Sequence, residues 1–124
     1  MVVGTRPQYI KLAPFIKEAK GRFNIDIVDT GQHYDESMSG QFRKEFKLPK
    51  PRYSLNVGSG GHSNQTGHML IKLERVLDPK IYDMVVVFGD TNSTLAGALA
   101  AAKLGIPIAH IEAGTRSFDR SMPE

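Results

Sequence analysis

The sequence contains no cysteine, so disulfides and thiolate zinc sites are excluded and a reducing compartment is compatible with it. It also lacks any apolar run near the roughly 18 residues of a membrane span. The opening "MVVGTRPQYIK" turns polar after three positions, which does not read as a secretory signal. The expectation is a soluble, cytoplasmic protein with no membrane partner. An excess of one charge is missing too: 16 Lys and Arg against 13 Asp and Glu leave +3, scattered along the chain. That balance suits anionic small ligands and argues little for nucleic acid. Two nucleotide signatures are absent, the G-x-x-x-x-G-K-[ST] phosphate loop and a G-x-G-x-x-G after the first strand. "GSGGHS" holds a G-x-G in the wrong context, so ATPase, kinase and dinucleotide-dehydrogenase readings lose their support. His62 and His68 have no metal-ligand spacing, and His110 with Glu112 makes too small a constellation, so no metal is expected.

What is present is the grammar of an α/β domain, and 124 residues suffice for one such unit. "MVVVF" (Met84 to Phe88) is a continuous β-branched and aromatic run, the pattern of a strand buried on both faces. "TNSTLAGALAAAKLG" follows, with Leu95, Ala98, Leu99 and Ala102 on one helical stripe and Gly105 as a stop. "IPIAHI" (Ile106 to Ile111) supplies the next strand, with Pro107 near its start. The same strand-to-helix order opens the chain: "MVV" leads through "GTRPQ" into a helix whose Tyr9, Leu12, Ala13 and Ile16 share a face. There Thr5 reads as the N-cap, Pro7 lies just inside and Gln8 completes a capping box. "NIDIVDT" (Asn24 to Thr30) reads as a second strand, followed by a helix from about Glu36 to Phe46. A short strand is expected at Tyr53 to Leu55, and a helix through Met69, Leu70, Leu73, Val76 and Leu77 ending at Asp78-Pro79. Gly58, Gly60 and Gly61 mark a mobile loop by composition. Together these predict a Rossmann-like parallel sheet flanked by helices.

In open parallel sheets, ligands bind beyond the carboxyl ends of the strands, where helix N-termini also point. After the first strand come Gly4, Thr5 and Arg6; after the second, Gly31, Gln32 and His33. After "MVVVF" come Gly89, Asp90 and Thr91, and after "IPIAHI" come Glu112, Gly114 and Arg116. Every exit thus carries a glycine and an ionisable side chain. Each has a plainer reading: Arg6 as a surface cation, Asp90 as the cap of the following helix, His33 as a hydrogen-bonded loop residue. For Glu112 the plainer reading is an ion pair with Arg116, four residues on.

"GTRPQYIKLAP", "DTGQHYDESM", "VVVFGDTNSTLAGALAA" and "IPIAHIEAGTRSFDRSMPE" resemble, in order and spacing, the non-hydrolysing UDP-N-acetylglucosamine 2-epimerases. The resemblance covers almost the whole chain. It implies one half of a glycosyltransferase-B-type architecture, with residues 1–124 as the N-terminal Rossmann-like domain and the C-terminal nucleotide-binding domain absent. It further implies interconversion of UDP-N-acetylglucosamine and UDP-N-acetylmannosamine by elimination and re-addition of UDP, without a dissociable cofactor, in a homodimer. By motif, Asp90, Glu112 and Glu124 match the acidic catalytic positions. Arg6, Lys11, His33 and Arg116 match substrate-binding positions, and Gln32, His33 and Gln65 resemble positions near a regulatory substrate site of bacterial members. The first strand is shorter than is usual in the family, and members are considerably longer, so a chain of this extent is expected to be inactive or nearly so alone. Two alternatives stand beside this reading. One is the hydrolysing relative, which releases UDP and free N-acetylmannosamine, and the other is a non-catalytic module that binds a sugar nucleotide.

Overall fold

The computed structural model describes residues 1–32 and 44–121. In chain order it contains β1 (Val2–Val3), α1 (Arg6–Ala19), β2 (Val28–Asp29), β3 (Tyr53–Ser54), α2 (His62–Val76), β4 (Val85–Phe88), α3 (Asn92–Lys103) and β5 (Ile108–Ile111). Every strand pairing is parallel: β1 with β2, β2 with β3, and β4 with β5. β4 lies against β1, so the two ladders sit side by side. The α/β class is as expected. The helix foreseen from Glu36 to Phe46 lies for the most part outside the described residues.

Alternation along the strands divides the interior into two cores. Val2, Val85 and Val87 point to one face, where they meet Met69, Leu73 and Leu77 of the α2 region and Ala96 and Ala100 of α3. Val3, Val86 and Phe88 point to the other, against Tyr9 and Leu12 of α1 and Ile27. A sheet covered on both sides needs apolar residues at every position, which is why "VVVF" reads as an unbroken run and is buried throughout. Leu73 is fully buried in the first core. Leu73→Ala is expected to lower stability by about 2–5 kcal/mol, read from the denaturation midpoint, through lost burial and the remaining cavity.

Three expectations need correction. The stripe Leu95, Ala98, Leu99 and Ala102 is not the buried face of α3: Leu95 and Leu99 are each 40% exposed, while Ala96, Gly97, Ala100 and Ala101 face inward. The reason is distance. At Gly97 a Cβ would stand 3.0 Å from Val87 Cγ1 and 3.2 Å from Val2 Cβ, so the helix lies too close to the sheet for leucine. The second strand is shorter than Asn24 to Thr30 because β1 offers only Val2 and Val3 as partners, and pairing stops with them. Gly58, Gly60 and Gly61, by contrast, lie outside any helix or strand as expected, with α2 starting at His62 behind Gly61. Leu55, expected in β3, is buried just past the strand, which ends at Ser54, with its N–H donating to Asp29 O of β2 at 2.7 Å.

Candidate functional site

The carboxyl ends of the strands carry the polar residues, and their side chains tie one exit to the next. After β1, the Gly4 and Thr5 N–H groups donate to Gln8 Oε1 at 2.8 and 3.1 Å, which is the glutamine half of the expected capping box. Thr5 Oγ1 itself is buried without a hydrogen-bond partner among the described residues. Arg6 opens α1 at the surface of this edge. After β4, Gly89 takes φ +65°, Asp90 is half-buried and Thr91 is the N-cap of α3. The plainer reading of Asp90 as the helix cap therefore gives way, because Thr91 Oγ1 holds the Thr94 N–H.

Glu112 leaves β5 with φ +68°, a left-handed backbone that a non-glycine residue adopts only at some cost. Its carboxylate forms an ion pair with Lys11 of α1, not with Arg116. Arg116 Nη1 instead donates to the Ala113 and Thr115 carbonyls at 2.6 and 2.8 Å. The physical cause lies in the fold: Lys11, on the second turn of α1, lies over the β4 exit, and Glu112 Oε2 and Lys11 Nζ stand 3.6 and 3.7 Å from where a Cβ on Gly89 would be. The absent side chain at Gly89 leaves room for both. Lys11, Glu112 and the turn carrying Asp90 are thereby brought together, with His110 Nε2 donating to Gly89 O at 2.6 Å.

A second set of polar groups extends this edge toward β2 and β3. Gln32 Oε1 accepts from Ser93 N at 3.0 Å and Ser93 Oγ at 2.6 Å, and Ser93 Oγ also meets Thr30 Oγ1 at 2.8 Å. Gln65 is buried, donating to Gln32 O at 3.1 Å and Gly58 O at 2.7 Å and accepting from Asn92 Nδ2 at 2.8 Å. In these positions both glutamine side chains are bound to the protein's own groups. His62 reaches Asn92 from the start of α2, whereas His68 is exposed on the same helix. His33 and Glu124 lie outside the described residues. Among the described residues no group of three His, Cys, Asp or Glu side chains could hold a metal ion, and no helix is long and apolar enough to cross a membrane.

Sequence reasoning missed the partner of Glu112, the reach of Gln8 beyond its own helix turn, and the buried hydroxyls and amides of Asn92, Ser93 and Thr94. The signal for the last was available: "TNST", two residues after a buried strand, places four hydrogen-bonding side chains where few can reach water.

The model of the UDP-N-acetylglucosamine 2-epimerase family matches residues 16–124. A Methanococcus maripaludis protein described as a UDP-N-acetylglucosamine 2-epimerase homolog is 58% identical over 99% of this chain and 34% of its own length. A Pseudomonas aeruginosa UDP-2,3-diacetamido-2,3-dideoxy-D-glucuronate 2-epimerase is 49% identical over 99% of this chain and 35% of its own. The crystal structure of Methanocaldococcus jannaschii UDP-GlcNAc 2-epimerase, in complex with UDP-GlcNAc and UDP, superposes with a TM-score of 0.91 at 56% identity, over 98% of this chain and 34% of that one. The chain thus spans about a third of the length of these relatives.

Proposed function

The chain belongs to the UDP-N-acetylglucosamine 2-epimerase family, and from that premise we propose that its strand-exit edge forms the catalytic wall of an enzyme that inverts C2 of a UDP-linked 2-acetamido sugar, with UDP-N-acetylglucosamine as substrate. The observation that carries this reading is the gathering of Lys11, Glu112 and the Asp90 turn at one edge, with Arg6 at the N-terminus of the helix that carries Lys11. The reaction needs what such an edge supplies. A carboxylate takes the proton from C2, the C1–O bond breaks with its electron pair leaving on UDP, and a C1–C2 double bond forms. UDP then adds back at C1 while a proton is returned to the opposite face of C2. Asp90, Glu112 and Glu124 are the acid and base groups, and Arg6 and Lys11 stabilise the departing diphosphate. His33 and Arg116 serve substrate binding, and Gln32, His33 and Gln65 border a regulatory site in this proposal. The same proposal takes residues 1–124 as one Rossmann-like domain of a cytoplasmic homodimer, supported by the apolar side chains Ile71, Leu95 and Leu99 left exposed on α2 and α3.

A chain of the relatives' length that carries these 124 residues tests the reading. Incubated with UDP-N-acetylglucosamine in D2O, it is expected to yield UDP-N-acetylmannosamine with deuterium at C2. Formation of free N-acetylmannosamine with no UDP-N-acetylmannosamine would place it with the hydrolysing enzymes, and no exchange at C2 would remove the catalytic reading. In the same chain Arg6→Ala is expected to weaken UDP binding about tenfold or more by calorimetry, the scale of one lost charge-assisted contact. Unchanged affinity and turnover would make Arg6 a surface cation.

A further inference from the structure

We infer that Gln8 is a positioning residue for the Asp90 carboxylate, acting together with His110; this rests on the functional reading above. Gln8 is 1% exposed, and both halves of its amide are in use. The oxygen accepts from Gly4 and Thr5, a local duty of a helix start. The nitrogen does something else: it donates to Phe88 O at 2.8 Å, and to Thr91 Oγ1 and Thr94 Oγ1, each at 3.0 Å. Capping alone would need only the oxygen. The nitrogen's partners stand on either side of Asp90, two residues before it and one after.

From the other flank, His110 Nε2 donates to Gly89 O at 2.6 Å. The backbone around Asp90 is therefore held at Phe88 and Gly89 by side chains from α1 and β5, and at Thr91 through its hydroxyl. Among the described residues the Asp90 carboxylate makes no hydrogen bond of its own. Its place is thus set by the turn that carries it, and Gln8 and His110 hold that turn together with the Gly89 N–H on Ile111 O at 2.9 Å and the Thr94 hydroxyl on Phe88 O at 2.5 Å. Because the same Gln8 oxygen holds the turn bearing Arg6, one amide fixes the spacing between a candidate diphosphate cation and a candidate acid or base. Displacing a reacting group by about 1 Å costs up to about 100-fold in rate.

The test uses a chain of the relatives' length carrying these residues, assayed for interconversion of the two UDP-sugars. Gln8→Leu is expected to lower kcat about 10- to 100-fold with KM for UDP-N-acetylglucosamine changed less than about threefold, since geometry and not binding is lost. In an Asp90→Asn background the same change is expected to cost less than about threefold, because two residues acting through one group are not additive. His110→Ala removes an exposed side chain, so the fold tolerates it, and it should give the same non-additivity should Gln8→Leu fail to fold. The inference is overturned if both variants fold and turn over at the parent rate, or if their full loss persists beside Asp90→Asn. It falls with the functional reading, by a distinguishable result, if Asp90→Asn alone leaves turnover at the parent level.

Discussion

Asp90→Asn and Glu112→Gln are each expected to lower turnover by about two to four orders of magnitude in a chain of the relatives' length, the usual scale for losing a proton-transfer group. Both substitutions keep size and remove the ability to exchange a proton, so the loss should appear in kcat. They should nevertheless differ in KM. The Asp90 carboxylate has no hydrogen-bond partner among the described residues, and its replacement disturbs nothing around it. Glu112 neutralises Lys11, and a neutral amide in place of its carboxylate would leave that ammonium uncompensated beside the Gly89 turn. Lys11 then becomes more available to a diphosphate, so Glu112→Gln should lower kcat while holding or tightening UDP affinity. Near-native turnover in either variant would take that residue out of the acid and base set.

A large effect on stability is also expected from a single added methyl group. Gly4→Ala would set a Cβ 1.9 Å from Thr30 Oγ1 and 2.3 Å from Ser93 Oγ. Neither hydroxyl can retreat: both residues are fully buried and the two oxygens are bonded to each other at 2.8 Å. Nor can the glycine move outward, because its N–H is held by Gln8 at 2.8 Å. The expected loss is about 3 kcal/mol or more, the upper part of the overpacking range, with the denaturant slope unchanged. Gly60→Ala is the matched control, since nothing lies within 4 Å of its Cβ position; it should change stability by no more than about 0.5 kcal/mol. Equal midpoints for the two variants would contradict this account of the β1 exit.

What could be read from the sequence follows from what each residue's neighbours have in common. β4 was legible because burial on both faces demands an unbroken apolar run, and α1 and α2 because one face of each is apolar and the other is not. α3 is apolar nearly all round, so periodicity could not choose between its leucine stripe and its small-residue stripe; the close approach at Gly97 decided it. The glycine and ionisable residue after each strand could be placed at the carboxyl edge of the sheet, since that follows from topology alone. Pairings across that edge were not legible. Lys11 and Glu112 are 101 positions apart, and the nearer Arg116 was the natural guess from spacing. Gln8 looked complete as a cap because a local partner accounts for its oxygen, and nothing in a linear pattern shows where the nitrogen goes.

The frame beneath this edge is built from Gln8, Gln32, Gln65, Asn92, Ser93 and Thr94, side chains that carry no titratable proton in water. Acidification or alkalinisation across the working range of an enzyme therefore leaves these hydrogen bonds in place. A bell-shaped rate profile measured on this scaffold would accordingly trace the protons that belong to the reaction and not a loosening of the wall that holds them.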